Sequence, residues 1–151
     1  MVKEINAKTF DKVVLQAKRP VLVEVWAPWC GPCRAMAPVL ETVATKFAGQ
    51  AKVVKLNANQ NRELVQQYKV IGIPTLLYFS HSRLVDRQTG AQTAAKIEQR
   101  LAPLLAFSAE TAAKQEITGL FRWPTLRTIG LIGAGLGLLL LAGYVEQQFF
   151  G

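Results

Sequence analysis

The 151-residue chain has only two cysteines and one histidine. Two cysteines three positions apart exclude the multi-disulfide framework that staples small secreted domains. The pair could be half of a zinc site, but a tetrahedral site needs four ligands, and only His81 and no further cysteine exist to complete it. No Lys/Arg cluster exceeds two in a row and no nucleic-acid motif accompanies the charge, so nucleic acid is not an expected partner. The opening Met1-Val2-Lys3-Glu4-Ile5-Asn6 lacks an apolar stretch after a basic start, so no cleavable signal peptide is expected. The domain is therefore expected to stay on the side where it is made, which is normally reducing. One more absence sits near the other end, where Thr128–Val145 contains no charged residue.

Length allows one cored domain plus an appendage. Half of the residues are hydrophobic, and they are unevenly spread. Residues 1–106 hold 15 of the 18 Lys/Arg and 7 of the 10 Asp/Glu, so this part carries the whole net charge of +8. Such a basic surface is expected to be mainly a solvated face.

Strand and helix signals alternate through that part. Val2–Asn6 reads as a short strand, and Asn6 as the cap of a helix over Ala7–Lys18 with Phe10, Val13, Val14 and Ala17 on one face. Val21–Ala27 is a β-branched apolar run broken only by Glu24, as in a central strand buried on both faces. A helix follows over Cys30–Phe47, with a kink expected at Pro38. Val53–Asn57 is the next strand and Arg62–Tyr68 a short helix. Thr75–Phe79 and Leu84–Gln88 form a hairpin around Ser80-His81-Ser82-Arg83, and Gln92–Leu105 closes as a helix in which Pro103 is unfavourable. The order β-α-β-α-β-α-β-β-α implies an α/β fold with a mixed sheet and helices on both faces.

The strand-to-helix junction holds Cys30-Gly31-Pro32-Cys33. Disulfide exchange needs an accessible attacking thiolate and a second thiol near enough to resolve the mixed disulfide. A helix N-terminus favours the anion at Cys30, and Cys33 lies one turn further in, shielded yet within reach. Dithiol redox chemistry is the expected use of this pair, ahead of zinc binding or an inert role.

Trp26-Ala27-Pro28-Trp29-Cys30-Gly31-Pro32-Cys33-Arg34 resembles the active-site signature of thioredoxins, especially the bacterial and plastid m-type kind. Pro38 matches that family's helix kink and Lys55-Leu56-Asn57 its third strand. Ile71-Gly72-Ile73-Pro74-Thr75 matches its cis-proline loop, and Gly90 the glycine after its last strand. The resemblance covers residues 1–106 and implies the thioredoxin fold. It implies Cys30 as the attacking thiolate and Cys33 as the resolving thiol, with no cofactor beyond their redox-active disulfide. Pro32 is similar to the reducing members, since oxidants usually carry histidine there. Pro74, if cis, would present the backbone of Ile73 to an extended substrate segment. Trp29, Gly31, Pro32, Ile73, Pro74 and Gly90 would form the substrate-contact surface. The partners implied are disulfide-bearing proteins and a flavin- or ferredoxin-dependent thioredoxin reductase.

Glu24 departs from the family, which usually places a buried aspartate six residues before the first cysteine. Burial raises a carboxyl's pKa, so Glu24 is expected to exchange a proton with Cys33 near neutral pH, with Lys55 as its ionic neighbour. A purely structural Glu24–Lys55 pair is the alternative. Asn59 stands where relatives often have aspartate, the turn at Ser80–Arg83 lacks their usual Asn-Gly, and His81 is expected to be an exposed loop residue.

Thr128–Val145 as a helix would span about 27 Å, near the thickness of the hydrocarbon layer. Trp123 and Phe121 flank one end and Tyr144, Phe149 and Phe150 the other, as interfacial aromatics do. Lys114, Arg122 and Arg127 precede the span and no Lys/Arg follows it, which places the domain on the cytoplasmic or stromal side of a tail-anchored protein. Gly133-x-x-x-Gly137 would permit a second helix to approach. The expected organisation is a thioredoxin domain over 1–106, a connector over 107–124, a transmembrane helix over 125–146 and a tail over 147–151. The function expected is a membrane-anchored protein-disulfide reductase, with membrane lipid and a helix partner as further contacts. Alternatives are an assembly factor or accessory subunit that uses the domain for binding, and an oxidant or isomerase on the outer face.

Overall fold

The computed structural model describes residues 1–107. The expected connector, membrane span and tail, with Trp123, Gly133, Gly137 and Tyr144, lie outside the described residues. Among those described, no helix is long and apolar enough to cross a membrane.

Five strands form one mixed sheet in the order β1-β3-β2-β4-β5. They are β1 (Lys3–Ile5), β2 (Val21–Trp26), β3 (Lys52–Asn57), β4 (Thr75–Ser80) and β5 (Arg83–Thr89). β1 and β2 both run parallel to β3, while β4 is antiparallel to β2 and to β5. β2 and β4 lie inside the sheet, and all but one of their residues are buried, the half-exposed Trp26 being the exception. Their continuous apolar character is what two covered faces demand.

One core packs between the sheet and the helices α2 (Gly31–Lys46) and α4 (Ala94–Leu101), built from Leu22, Met36, Leu40, Val43, Tyr78, Ile97 and Leu101. The opposite core joins Val21, Val23, Val25, Leu77 and Phe79 to Phe10 and Val14 of the first helical segment and Leu64 of α3 (Arg62–Gln67). Phe10, Tyr68 and Phe79 meet there ring to ring, with centroids 5.2–5.7 Å apart. The two cores hold the sheet rigid, so the loops leaving the ends of its strands have fixed roots.

The element order is the expected one, and the differences have local causes. Asn6 caps α1 (Ala7–Phe10) in a reciprocal box with Thr9, but the helix then widens into a π-helical turn over Asp11–Leu15. The final helix begins at Ala94, where the Thr93 side chain caps it, and gives way after Leu101 to a 3-10 turn over Ala102–Ala106. Pro103 lacks the N–H that a continued α-helix would use. At the hairpin, Ser80 pairs with Arg83 and both turn residues take positive φ, His81 at 49° and Ser82 at 68°. The two-residue hairpin geometry is thus reached without Asn-Gly.

Candidate active site

β2 ends at Trp26, and Ala27 to Trp29 carry the chain across the top of the sheet into α2. Cys30 is the N-cap of that helix, with Gly31 and Pro32 opening its first turn. Gly31 has open space where a Cβ would stand. Proline is suited to the first turn because its missing N–H is not needed there. Cys30 and Cys33 are joined as a disulfide, with their Cα atoms 5.3 Å apart. Cys30 Sγ accepts a hydrogen bond from the Cys33 N–H at 3.2 Å. The sulfur therefore sits at the positive end of a 16-residue helix, where a thiolate is favoured.

The expected contrast between an accessible Cys30 and a shielded Cys33 is small in this oxidised form, at 4% and 3% exposure. Each sulfur covers the other, and Ala27, Trp26 and Ile73 pack against the pair. Its surroundings are more open: Trp29 is 69% exposed, and Gly31, Pro32 and Arg34 are exposed too.

Beneath the cysteines lies a cavity of about 180 Å³ lined by Glu24, Trp26, Cys33, Arg34, Leu40 and Lys55, among others. Glu24 is buried, and its Oε1 has no hydrogen-bond partner among the described residues. Loss of hydration pushes its carboxyl up to about 7, with the Lys55 charge opposing that rise. Lys55 is the register neighbour of Glu24 across the parallel β2–β3 pair. Its ammonium, however, stands over the Trp26 ring, 4.6 Å from the centroid, and its effect on Glu24 is through space.

The third part of the site is the loop between α3 and β4. The Ile73–Pro74 peptide is cis. Ile73 is half-buried against the cysteine cluster, and its main-chain N–H and C=O have no partner among the described residues. Gly90, at φ 87°, donates its N–H to Pro74 O at 2.8 Å and so ties the end of β5 to this loop. The structure thus brings Trp29, Cys30, Gly31, Pro32 and Cys33 together with Ile73, Pro74 and Gly90 at one end of the sheet, and places Glu24 and Lys55 below. Asn59 is exposed, and His81 is exposed in the β4–β5 turn. No group of three or more His, Cys, Asp or Glu that could hold a metal occurs among the described residues.

Trp26 was legible only as part of a motif. Its Nε1 is buried without a partner among the described residues, and it shares the cavity with Glu24. The two-residue strand period puts Glu24 and Trp26 on one face of β2, which is the signal that could have joined them.

The thioredoxin family model matches residues 1–103. Thioredoxin 1 of Nostoc sp. is 42% identical over 98 residues, covering 65% of this chain and 92% of that protein. The thioredoxin of Haemophilus influenzae is 44% identical over 90 residues, covering 60% of this chain and 84% of its own length. The chloroplastic M-type thioredoxin of Pisum sativum is 36% identical over 100 residues, 66% of this chain and 58% of that one. With its two cysteines bridged at a helix N-terminus, the chain belongs to the thioredoxin family, thiol–disulfide oxidoreductases whose chemistry runs on that cysteine pair and no other cofactor.

Proposed function

We propose that this chain is a protein-disulfide reductase held at a membrane surface, with its thioredoxin domain on the cytoplasmic or stromal side. Family membership implies disulfide-bearing protein substrates and a thioredoxin reductase. The observation that carries the reductase reading is the Cys30 sulfur at the N-terminus of α2, with the buried Glu24 carboxyl on a cavity shared with Cys33.

In the reduced protein, the Cys30 thiolate attacks one sulfur of a target disulfide. The target S–S bond breaks, a Cys30–target mixed disulfide forms, and the released target sulfur takes a proton. Glu24, partly ionised near neutral pH, accepts the proton of Cys33 across a cavity wide enough for water. The Cys33 thiolate then attacks Cys30 Sγ and expels the second target sulfur, which is protonated in turn. The target gains two electrons and two protons, and Cys30–Cys33 returns to the disulfide. The reductase restores the dithiol with two electrons. Lys55 tempers the charge of Glu24. The exposed Trp29, Gly31 and Pro32 with the half-buried Gly90 offer the contact surface, the buried Pro74 holds the cis turn behind it, and the main chain of Ile73 receives an extended target segment by strand addition.

The membrane part of the proposal rests on the uncharged Thr128–Val145 stretch, its aromatic flanks Trp123 and Tyr144, and the one-sided Lys/Arg. Membrane lipid is then a contact, and Gly133 and Gly137 offer a face for a helix partner. Tethering raises the local concentration of membrane-associated targets without changing the chemistry.

Expression of the Cys33→Ser full chain tests both parts. Cys30 should hold membrane-associated proteins as mixed disulfides, and protease added to sealed vesicles that keep their cytoplasmic face outward should digest the domain. Adducts confined to the soluble fraction would sink the tether, and a protected domain would reverse the topology. If a Cys30→Ser/Cys33→Ser chain replaced the native protein in cells, a binding subunit would displace the reductase.

A further inference from the structure

We infer that Arg87 of β5 is a positioning residue for protein substrates, acting by fixing the loop that carries Ile73. The inference rests on the reading of Ile73 as the docking strand. Its neighbours in β5 face the α4 side, where Asp86 pairs with Arg100 at 2.6 Å and Gln88 accepts the Tyr78 hydroxyl proton. Arg87 alternates to the opposite side and reaches the C-terminus of α3. There its guanidinium donates to the carbonyls of Tyr68 and, at 3.1 Å, Lys69. Carbonyls at a helix end lack intrahelical partners, and a guanidinium supplies strong, charge-assisted donors. Lys69 takes the left-handed conformation that ends the helix, at φ 49°. The Tyr68 ring is itself locked between Phe10 and Phe79. The two carbonyls are the guanidinium's hydrogen-bond acceptors among the described residues.

The far end of the loop is tied to the same strand. Gly90 N–H donates to Pro74 O at 2.8 Å, Thr75 Oγ1 donates to Gly72 O at 2.6 Å, and Thr75 and Thr89 hydroxyls lie 3.3 Å apart. Residues 71–73 thus run between the α3 end, held by Arg87 and by the Val70 N–H bond to Val65 O at 2.9 Å, and the bonds from Thr75, Thr89 and Gly90 at the end of β5. That segment carries Ile71, which is 96% exposed, and the unpaired main chain of Ile73. A short segment with both ends fixed has few conformations to lose when a partner binds, and that preorganisation appears as affinity. Arg87 is not among the residues packed on the cysteine pair or lining its cavity, and it takes no part in electron transfer. Its effect is therefore on the KM for protein disulfides.

The test compares a protein disulfide, insulin, with a small aromatic disulfide, 5,5′-dithiobis(2-nitrobenzoate), on the full chain. Arg87→Met keeps the apolar stem and removes the donors. Its KM for insulin should rise about fivefold with kcat within about twofold, since lost preorganisation weakens binding alone. Its rate with the small disulfide and its Cys30–Cys33 potential against glutathione should not move. Arg87→Lys, which can reach one carbonyl, should recover part of the KM, and it carries the test if Arg87→Met fails to fold. Val14→Ala, which weakens the same core away from the loop, should leave the KM alone. An unchanged KM in Arg87→Met, an equal loss with both substrates, or an equal KM rise in Val14→Ala would overturn the inference. Ile73→Ala separates the two levels. If it alone raises the KM for insulin, the clamp is wrong; if neither variant does, the docking reading itself is wrong.

Discussion

Val21, Val23 and Val25 project from one face of β2 into a wall of buried aliphatic and aromatic side chains. Leu22, Glu24 and Trp26 project from the other face toward α2, and there close packing gives way to a cavity lined by Glu24 and Trp26, each with one buried polar atom unpaired among the described residues. Burying the Glu24 carboxyl there disfavours its charged form, as its raised pKa of about 7 records. The first face shows what the domain needs in order to fold. The second shows where stability is given up next to Cys33, and that difference locates the chemistry within an otherwise conventional core.

Substitutions on the two faces should separate along that line. Cys33→Ser should have the largest effect, reducing steady-state insulin turnover to background while leaving the sheet folded, as circular dichroism would confirm. Leu77→Ala, on the apolar face, should cost about 2–5 kcal/mol in urea unfolding through the cavity it leaves. The folded fraction should keep its rate per molecule; a matching loss of intrinsic rate would break the division between the faces.

Glu24→Gln should act with the opposite sign. The folded state holds the Glu24 proton up to about 7, against an ordinary 4.5, so it binds more protons than the unfolded chain in that interval. Stability contributed by Glu24 is therefore lost as pH rises from about 4.5 to 7, by about 3 kcal/mol in all. Glutamine carries no such loss. Denaturation at pH 8 should find Glu24→Gln more stable by up to that amount, and at pH 4 the gain should vanish. A gain independent of pH would mean that desolvation of the charge is not its source. The smallest effect is expected at Gly90→Ala, where φ is 87° and an L side chain is strained. A cost of about 1 kcal/mol is expected, measurable as a lower thermal midpoint.

Much of this molecule can be read from its chain. Among the described residues, the alternation of β-branched runs and amphipathic segments places the strands and helices in the right order, though the first and last helices are shorter than expected. The cysteine pair is legible because its chemistry requires a fixed spacing. Interactions that depend on register are not. Glu24 and Lys55 come level only through the parallel pairing of β2 with β3, and Lys55 then meets Trp26 rather than the carboxylate itself. Arg87 reads locally as a surface charge on a strand, and its carbonyl partners lie 18 and 19 residues away. Likewise Asn61 reads as a loop residue, yet it is buried, accepting the Ala7 N–H at 2.7 Å and donating to Asn57 O at 2.8 Å. The positive φ values of His81 and Ser82 are imposed by the two strands they join, against their own preference.

The most direct test of the link between Glu24 and the cysteines is the rate at which Cys33 resolves a preformed Cys30 mixed disulfide. Rapid mixing between pH 5 and 9, in the native chain and in Glu24→Gln, would follow that step alone. The native rate should climb through a transition near pH 7 as Glu24 ionises, and Glu24→Gln should be slower and lack that transition. Coincident profiles would contradict the account and leave Glu24 a structural carboxyl beside chemistry it does not serve.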